Sequence, residues 1–432
     1  MQAAALGPGF LATASERRPN VLFVLTDQWR GQSFPGVSSD LQAPALRRLA
    51  EEGITFTRGY TACPQSGPAR AALLSGRFPH ACGVPDNDIR LPLDQPSLSS
   101  ALQQAGYRTG FIGKWGLDGA EDPGFVPPGP RRRGFDYWAA FNRGNRYYES
   151  RYFGDRAEPI LIRGFEPDYQ TDLAIEFIQE SRQNPFLLFL SWGPPHPPWN
   201  PPERTADLYA PSKLNLRGNV PEELESRARD EYAAYYSMCT ALDENLGRLL
   251  SAVDTNNLRD NTIVVFTSTS GTMLGSHGLE DTGFPYEESL RIPLVVRYPR
   301  LGKAGVIRDD VLVSSVDLAP TLLSLCGLTA PNETQGTNLA PGLAGQEAVF
   351  AEGRLRTAEE WRAVIRGLDK LVVNRETNAT YLFNLGQDPL ELVNLASISG
   401  HERKKDELAA LLKEWMRRTN FQMDASGLKK RS

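Results

Sequence analysis

The segment SGPARAALLSGR (residues 66–77) has the composition of a short helix that begins with an anion-binding turn. Pro68 suits the first position of a helix, and Gly76 suits its end. Ser66 would then lie just before the helix N-terminus, where the helix dipole and free N–H groups favour anionic species. Arg70 is close enough in the sequence to reach back to Ser66. These residues predict an oxyanion site, although short Ser-Gly-Pro segments are also common in ordinary turns.

Other candidate residues each follow a short apolar run. Asp27 follows NVLFVLT, Lys114 follows TGFIG, and His196 lies in the Pro-rich loop after PFLLFL. A fourth run, NTIVVFTS, leads into Thr269 and Ser270. Such runs are typical of strands in a parallel sheet that is buried on both faces. Ligands bind beyond the carboxyl ends of such strands, so we expect the functional site at that edge.

Helical patterns alternate with these runs at residues 43–52, 97–105 and 232–252. This alternation predicts an α/β fold with a doubly wound, mostly parallel sheet flanked by helices. From about residue 348 the pattern changes to closely spaced β-rich runs, and a helix-like segment follows at residues 402–418. We therefore predict a main domain over residues 19–345 and a smaller C-terminal antiparallel α+β subdomain over residues 346–432.

The composition limits the kinds of binding partner and the cellular locations that we expect for this chain. The net charge is −5, from 47 Lys and Arg against 52 Asp and Glu, so the chain has no basic footprint for a nucleic acid. No apolar run reaches the roughly 18 residues of a membrane span. Residues 1–18 contain a small, apolar stretch that ends in an A-x-A pattern, without the basic start of a full signal. We read it as the remnant of an export signal, which predicts a periplasmic or extracellular protein. The alternative is a disordered tail on a cytoplasmic protein.

The four cysteines form no CxxC pair and have no zinc-site spacing. We expect free buried thiols. One bridge between Cys63 and Cys82 is the alternative in an oxidising compartment.

Several segments together resemble the formylglycine-dependent type I sulfatases of the alkaline-phosphatase superfamily. SGPARAALLSGRFPH resembles the signature C/S-x-P-x-R of that family, with the small-residue helix and Gly-Arg that follow it. RPNVLFVLTDQ, GYRTGFIGKW and SWGPPHPPWNPP resemble other family segments and occur in the same order. The resemblance extends over roughly residues 18–412.

The resemblance implies a set of catalytic roles. Ser66 would be oxidised to formylglycine, whose hydrate attacks the sulfur of a sulfate ester. Arg70 would hold the modified residue, Lys114 would be the catalytic lysine, and His196 would donate a proton to the leaving group. The implied ligand is a small-molecule or carbohydrate sulfate ester.

The resemblance also implies a Ca²⁺ or Mg²⁺ ion that is bound by Asp27, with Gln28 where many family members have a second Asp. Such ions need hard oxygen ligands, and Ca²⁺ takes about 6–8 of them. Asp118, Glu280 or Asp281 are other carboxylates that could enter the site.

The chain departs from the family pattern at positions of chemical importance. Thr269 and Ser270 replace two metal ligands, and Thr272 replaces an Asp in the same segment. Thr282 stands where a Lys is common, and Gly116 stands where a His is common. Loss of the metal and of two catalytic side chains would lower the rate by many orders of magnitude, at about tenfold for each 1.4 kcal/mol.

Three functions remain open from the sequence. The first is a sulfuric-ester hydrolase that acts on a sulfated carbohydrate or an aryl sulfate, with weakened activity. The second is a non-catalytic pseudo-sulfatase that binds a sulfated ligand or a protein partner. The third is a phosphodiesterase or phosphonate hydrolase of the same superfamily with Ser66 as direct nucleophile. The sequence predicts no particular ester and no oligomeric state.

Overall fold

The computed structural model of the protein describes residues 17–34, 37–120, 124–341, 345–374 and 380–420. Most of the segment interpreted as an export-signal remnant lies outside these residues. Within the described ranges, no helix is long and apolar enough to cross a membrane.

The strands of the described residues belong to four sheets. In chain order they are β1 (Asn20–Asp27), β2 (Ile54–Phe56), β3 (Gly59–Tyr60), β4 (Arg108–Lys114), β5 (Tyr137–Phe141), β6 (Arg151–Tyr152), β7 (Ile160–Leu161), β8 (Phe186–Pro195), β9 (Thr262–Ser268), β10 (Arg291–Ile292), β11 (Leu294–Arg297), β12 (Val306–Arg308), β13 (Val313–Ser314), β14 (Ala348–Gly353), β15 (Trp361–Arg366), β16 (Asp369–Asn374) and β17 (Thr380–Asn384).

The helices of the same residues lie mainly between strands of the largest sheet. They are α1 (Pro44–Glu52), α2 (Ser66–Ser75), α3 (Pro79–Cys82), α4 (Leu98–Gln104), α5 (Glu166–Ser181), α6 (Glu203–Ala206), α7 (Glu225–Thr255), α8 (Glu287–Leu290), α9 (Leu318–Leu325) and α10 (Glu402–Arg418).

The largest sheet has eight strands in the order β12-β2-β11-β9-β1-β8-β4-β5. The five strands from β9 to β5 are parallel to one another, and β11 is antiparallel to β9. This arrangement confirms the predicted mostly parallel α/β sheet. The carboxyl ends of β9, β1, β8, β4 and β5 therefore meet at one edge.

Strand β1 explains why both faces of this sheet are covered. All eight of its residues are buried. Val21 and Phe23 belong to the hydrophobic core on one face, and Leu22 and Val24 belong to the core on the other. Successive side chains of a strand point to opposite faces, so an unbroken apolar run requires a packed layer on each side.

The C-terminal region forms a four-stranded antiparallel sheet, β14-β15-β16-β17, as predicted. Helix α10 packs on it through Leu408, Leu412 and Trp415, which are spaced at three to four residues and are all buried. That spacing places the three side chains on one helical face.

Candidate functional site

The candidate site lies at the carboxyl edge of the central parallel strands. Asp27 ends β1, Lys114 ends β4, Thr269 follows β9, and His196 follows β8. Ser66 reaches the same edge from the start of α2. The topology thus brings together residues that are up to 242 positions apart in the sequence.

Asp27 lies at the centre of this site and is completely buried. Its Oδ1 atom accepts hydrogen bonds from Ser66 Oγ and Thr269 Oγ1, both at 2.6 Å. Its Oδ2 atom is 2.8 Å from Lys114 Nζ and 3.4 Å from Arg70 Nη2. Each carboxylate oxygen therefore already faces two donors, and two of the four donors are cationic.

These cations determine the ionisation of Asp27. Burial by itself would raise the pKa of this carboxyl, but the charges of Lys114 and Arg70 outweigh burial and hold the pKa far below its usual range. The carboxylate is therefore ionised at neutral pH. A carboxylate of such low basicity is a poor general base for the neighbouring Ser66 hydroxyl.

Helix α2 begins at Ser66, two residues earlier than Pro68, the predicted first helical position. The reason is that Ala69 already donates its N–H to Gln65 O, at 2.9 Å. Pro68 is compatible with the first turn, because N–H groups there have no acceptor within the helix, so the N–H that proline lacks costs no hydrogen bond. Gly76 ends the helix in the left-handed conformation at φ 67°, as predicted. Ser66 thus lies in the first turn of the helix and is half-buried.

Arg70 points from the same helix into the site and is 4% exposed. Its Nη1 atom donates to Lys114 O at 2.9 Å and also to Ser191 Oγ, a β8 residue that the sequence did not single out. Gly116 leaves room for this side chain. A Cβ atom at Gly116 would lie 3.2 Å from Arg70 Cδ, and the φ of +71° already disfavours other residues.

His196 lies near Asp27 and Lys114 and is half-buried. Burial lowers the pKa of its imidazole below the usual value, so the ring is neutral at pH 7. Its Nδ1 atom is 2.6 Å from Pro197 O, and its own carbonyl accepts a hydrogen bond from Tyr147 Oη at 2.7 Å. Tyr147 is a site residue that the sequence reasoning missed.

A second missed residue, Asn145, follows β5. Its Oδ1 atom is 2.8 Å from Lys114 Nζ, which therefore contacts both Asn145 and Asp27. The signal was present in the sequence, because the run YWAAF is followed at once by polar residues, as in the other strands that supply the site.

The substituted positions carry neutral side chains, and those of Thr272 and Thr282 are hydrogen-bonded to backbone carbonyls. Thr282 Oγ1 lies 3.0 Å from Pro64 O, and Thr272 Oγ1 lies 3.1 Å from Asp281 O. Gln28, held at φ 68°, donates from Nε2 to Asp281 Oδ1 at 2.8 Å. Ser270 is fully buried.

Comparison with known proteins identifies the family. The family model for sulfatases matches residues 19–328, and a model for the C-terminal region of N-sulphoglucosamine sulphohydrolase matches residues 275–420. The chain belongs to the sulfatase family. An ulvan-active sulfatase of Formosa agariphila is 33% identical over 75% of this chain and 64% of its own length. An N-acetylglucosamine-6-O-sulfatase of Bacteroides thetaiotaomicron is 28% identical over 92% of this chain and 86% of its own length.

Solved structures agree with this assignment. The YidJ structure from Bacteroides fragilis has a TM-score of 0.89 at 29% identity, and covers 95% of this chain and 98% of that chain. A structure in complex with its substrate D-glucosamine-2-N,6-O-disulfate has a TM-score of 0.86 at 26% identity, and covers 96% of this chain and 100% of that chain.

Sulfatases generally use a divalent metal ion, and the residues of this chain do not fit one. The described contacts of Asp27 include no second carboxylate, and both oxygens of Asp27 already accept hydrogen bonds. Gln28 and Thr269 donate hydrogen bonds to carboxylates. Gln28 Oε1 and Ser270 Oγ are buried without a hydrogen-bond partner among the described residues, but both are neutral oxygens and weak substitutes for carboxylate ligands. Among the described residues, no group of three or more His, Cys, Asp or Glu side chains could hold a metal.

Two of the other carboxylates that could have entered this sulfatase site are ion-paired with arginines elsewhere. Asp118 is ion-paired with Arg90 and Arg131. Glu280 is paired with Arg227, and both side chains are 60% exposed. The third candidate, Asp281, lies beside the site, where its Oδ1 accepts a hydrogen bond from Gln28 Nε2 at 2.8 Å, but it has no described contact with Asp27.

Glu166 is a further buried acid beside the site. It begins α5, is 1% exposed, and lies against Ser150 and Gln170. Burial raises the pKa of Glu166 to about 7, although the neighbouring polar groups of Ser150 and Gln170 and the charge of Lys114 act in the other direction. Its charge state therefore changes near neutral pH.

The four cysteines are free and buried, as expected. The alternative bridge between Cys63 and Cys82 is not formed. Burial raises the pKa of both thiols.

Proposed function

We propose that this sulfatase-family protein binds the sulfate group of a sulfated carbohydrate at the edge formed by Ser66, Arg70, Lys114 and His196, without metal-dependent hydrolysis of the ester. The observation that carries the proposal is the contact of 2.8 Å between Lys114 Nζ and the buried carboxylate of Asp27. In this arrangement the ammonium group supplies the positive charge that a divalent ion supplies in other sulfatases.

The charge of the site suits a sulfate monoester. Lys114 and Arg70 are two cations in contact with one carboxylate, Asp27, so these three side chains together carry one net positive charge. His196 is neutral at pH 7 because burial lowers its pKa. A sulfate monoester carries a single negative charge, so binding would balance the charge of these three side chains. Such charge-assisted contacts are stronger than neutral hydrogen bonds.

The exposed fractions of the site residues indicate which of them a ligand from solvent would meet first. Asp27 is inaccessible, whereas Ser66 and His196 are half-buried. A sulfate group would meet the first turn of α2, where a helix favours anions. Nε of Arg70 is buried and has no hydrogen-bond partner among the described residues. An unsatisfied buried donor costs roughly 1–3 kcal/mol, which an accepting oxygen would offset.

The carbohydrate part of the proposal is supported by the similar proteins. Two relatives are named as sulfatases of ulvan and of N-acetylglucosamine, and one structural neighbour holds glucosamine disulfate as its substrate. Their activity does not require the same of this chain, because Thr269 and Ser270 stand where the family pattern has metal ligands.

The test is calorimetric titration of the protein with D-glucosamine-2-N,6-O-disulfate in the presence of EDTA. We expect binding that Lys114→Met weakens about 10- to 100-fold, from the loss of a charged hydrogen bond. The matched control is Lys213→Met, which removes an exposed lysine elsewhere and leaves binding unchanged. Equal affinity of wild type and Lys114→Met would sink the proposal.

The second candidate is a sulfuric-ester hydrolase with formylglycine at position 66. It is favoured by Ser66, Pro68 and Arg70 at the signature spacing, with Ser66 Oγ 2.6 Å from Asp27. Mass spectrometry of the peptide that contains residue 66, on protein from its native host, tests for the aldehyde. Sulfate release from the ester that is lost in Ser66→Ala would establish this candidate instead.

The third function, hydrolysis of phosphodiesters or phosphonates by Ser66 itself, has little support. Structural neighbours named as phosphonate monoester hydrolases are 22–23% identical, which supports the shared fold alone. The low basicity of Asp27, the carboxylate that contacts Ser66, also argues against direct attack by the hydroxyl.

A further inference from the structure

The segment that links β5 to β6, residues 142–150, is fixed at both of its ends. At the first end, Asn142 donates from Nδ2 to Gly119 O at 2.7 Å and accepts from Asp118 N at 3.1 Å. At the other end, Ser150 is buried beside Glu166. We call this segment the 142–150 loop.

Tyr147 fixes the middle of the 142–150 loop. Its side chain is 3% exposed and packs in a small apolar cluster with Phe165 and Met238. Its hydroxyl donates to His196 O at 2.7 Å, and its carbonyl accepts from Glu166 N at 2.8 Å. The loop is therefore attached to the candidate site through His196 as well as through Asn145, which contacts Lys114.

Arg146 and Tyr148 flank this inward-pointing residue and are both exposed. Tyr147 between them is buried, so the exposed side chains of the loop stand on either side of its anchor. Arg146 has no ion pair or hydrogen bond within the described residues, whereas Arg143 of the same loop is paired with Asp88 at 2.8 Å. The ring of Tyr148 is supported from one side by Phe165, at 5.7 Å between centroids.

We infer that Arg146 and Tyr148 form a second binding position, which takes another anionic group and a sugar-ring face of the same carbohydrate; this rests on the proposed function. Arg146 follows Asn145 directly, and consecutive Cα atoms are about 3.8 Å apart. Since Asn145 Oδ1 is 2.8 Å from Lys114 Nζ, the guanidinium is within reach of a small ligand whose sulfate lies on Lys114. A planar guanidinium matches the paired oxygens of sulfate or carboxylate.

The inference specifies a ligand class. The site would prefer a carbohydrate with at least two anionic groups over one with a single sulfate. Tyr148 offers a large, rigid ring with a polar end, a type of surface that is common in recognition sites. The preference would come from a residue outside the family motifs quoted above.

The experiment compares two probes, D-glucosamine 6-sulfate and D-glucosamine-2-N,6-O-disulfate, by calorimetric titration. Wild type should bind the disulfate more tightly. Arg146→Gln should weaken the disulfate about 5-fold and leave the monosulfate unchanged, which is the size expected of one exposed ion pair. Tyr148→Ala should weaken both probes to a similar extent. The matched control is Arg403→Gln, which removes an arginine that is 92% exposed on α10 and should change neither affinity.

The outcomes separate this inference from the function on which it rests. If wild type binds both probes but Arg146→Gln affects both equally or neither, the second position is wrong and the sulfate site stands. If wild type binds neither probe, both the proposed function and this inference are overturned. Melting temperatures of the variants within experimental error of wild type show that the loop substitutions leave the fold intact.

Discussion

The ion pair between Lys114 and Asp27 predicts that substitutions of these two residues have strongly coupled effects on the free energy of unfolding. In a site where Asp27 binds a metal ion, this coupling would be weak. The perturbations are Lys114→Met, Asp27→Asn and the double variant. Lys114→Met would leave a completely buried carboxylate with Arg70 at 3.4 Å as its remaining cation. The two substitutions together would replace an ion pair by a neutral pair of similar volume.

The magnitude follows from the burial of both side chains, which are 10% and 0% exposed. Removing one partner of a buried ion pair typically costs about 3–5 kcal/mol, because the other charge stays buried and unpaired. Arg70 and the two hydroxyls still face Asp27, so we expect about 2–4 kcal/mol for Lys114→Met. The double variant should recover most of this loss, which gives a coupling energy of about 2 kcal/mol.

The assay is chemical denaturation of the four proteins at pH 7, with either EDTA or millimolar Ca²⁺. The coupling should be the same in both conditions, because no divalent ion takes part in it. A coupling energy below about 0.5 kcal/mol would refute the reasoning. A wild-type stability that falls on addition of EDTA would refute it as well.

Two further predictions concern the site, and a third concerns the buried cysteines. The double variant Gln28→Asp/Thr269→Asp adds the missing anionic ligands, so Ca²⁺ should raise its stability by about 2.7 kcal/mol at 100 times the Kd while wild type gains nothing, as measured by thermal denaturation. Ionisation of Glu166, whose pKa is raised to about 7, adds a negative charge beside Lys114. Affinity for the disulfate should therefore fall as the pH rises from 6 to 8, and this fall should be shallower in Glu166→Gln. The four buried cysteines should not react with a thiol reagent in the folded protein and should all react after unfolding; rapid reaction of Cys63 in the native state would contradict the packing.

Much of the fold could be predicted because its strands carry an unambiguous pattern. In the run NVLFVLT, apolar side chains fall on both faces of the strand. Such a run fits a strand whose two faces are both covered by other elements. Strand β5 and helix α5 were not predicted. YWAAF is short, and Glu166–Ser181 has apolar residues too scattered for a clear helical stripe. Tertiary contacts, rather than local pattern, decide such segments.

The candidate site could be predicted in part. Asp27, Lys114 and Thr269 follow strands of one sheet edge, and this topology alone brings them into contact. The direct pairing of Lys114 with Asp27 was not predictable, because spacing along the chain does not fix distances between strands. Asn145 was not predicted, because strand β5, which precedes it, was not predicted either.

The most direct test of the central claim is the affinity for D-glucosamine-2-N,6-O-disulfate, measured once in EDTA and once in millimolar Ca²⁺. The claim is that the cations of Lys114 and Arg70 replace a divalent ion at the sulfate site. It predicts the same Kd in both conditions and no release of inorganic sulfate. Binding that requires Ca²⁺, or steady sulfate release, would contradict it.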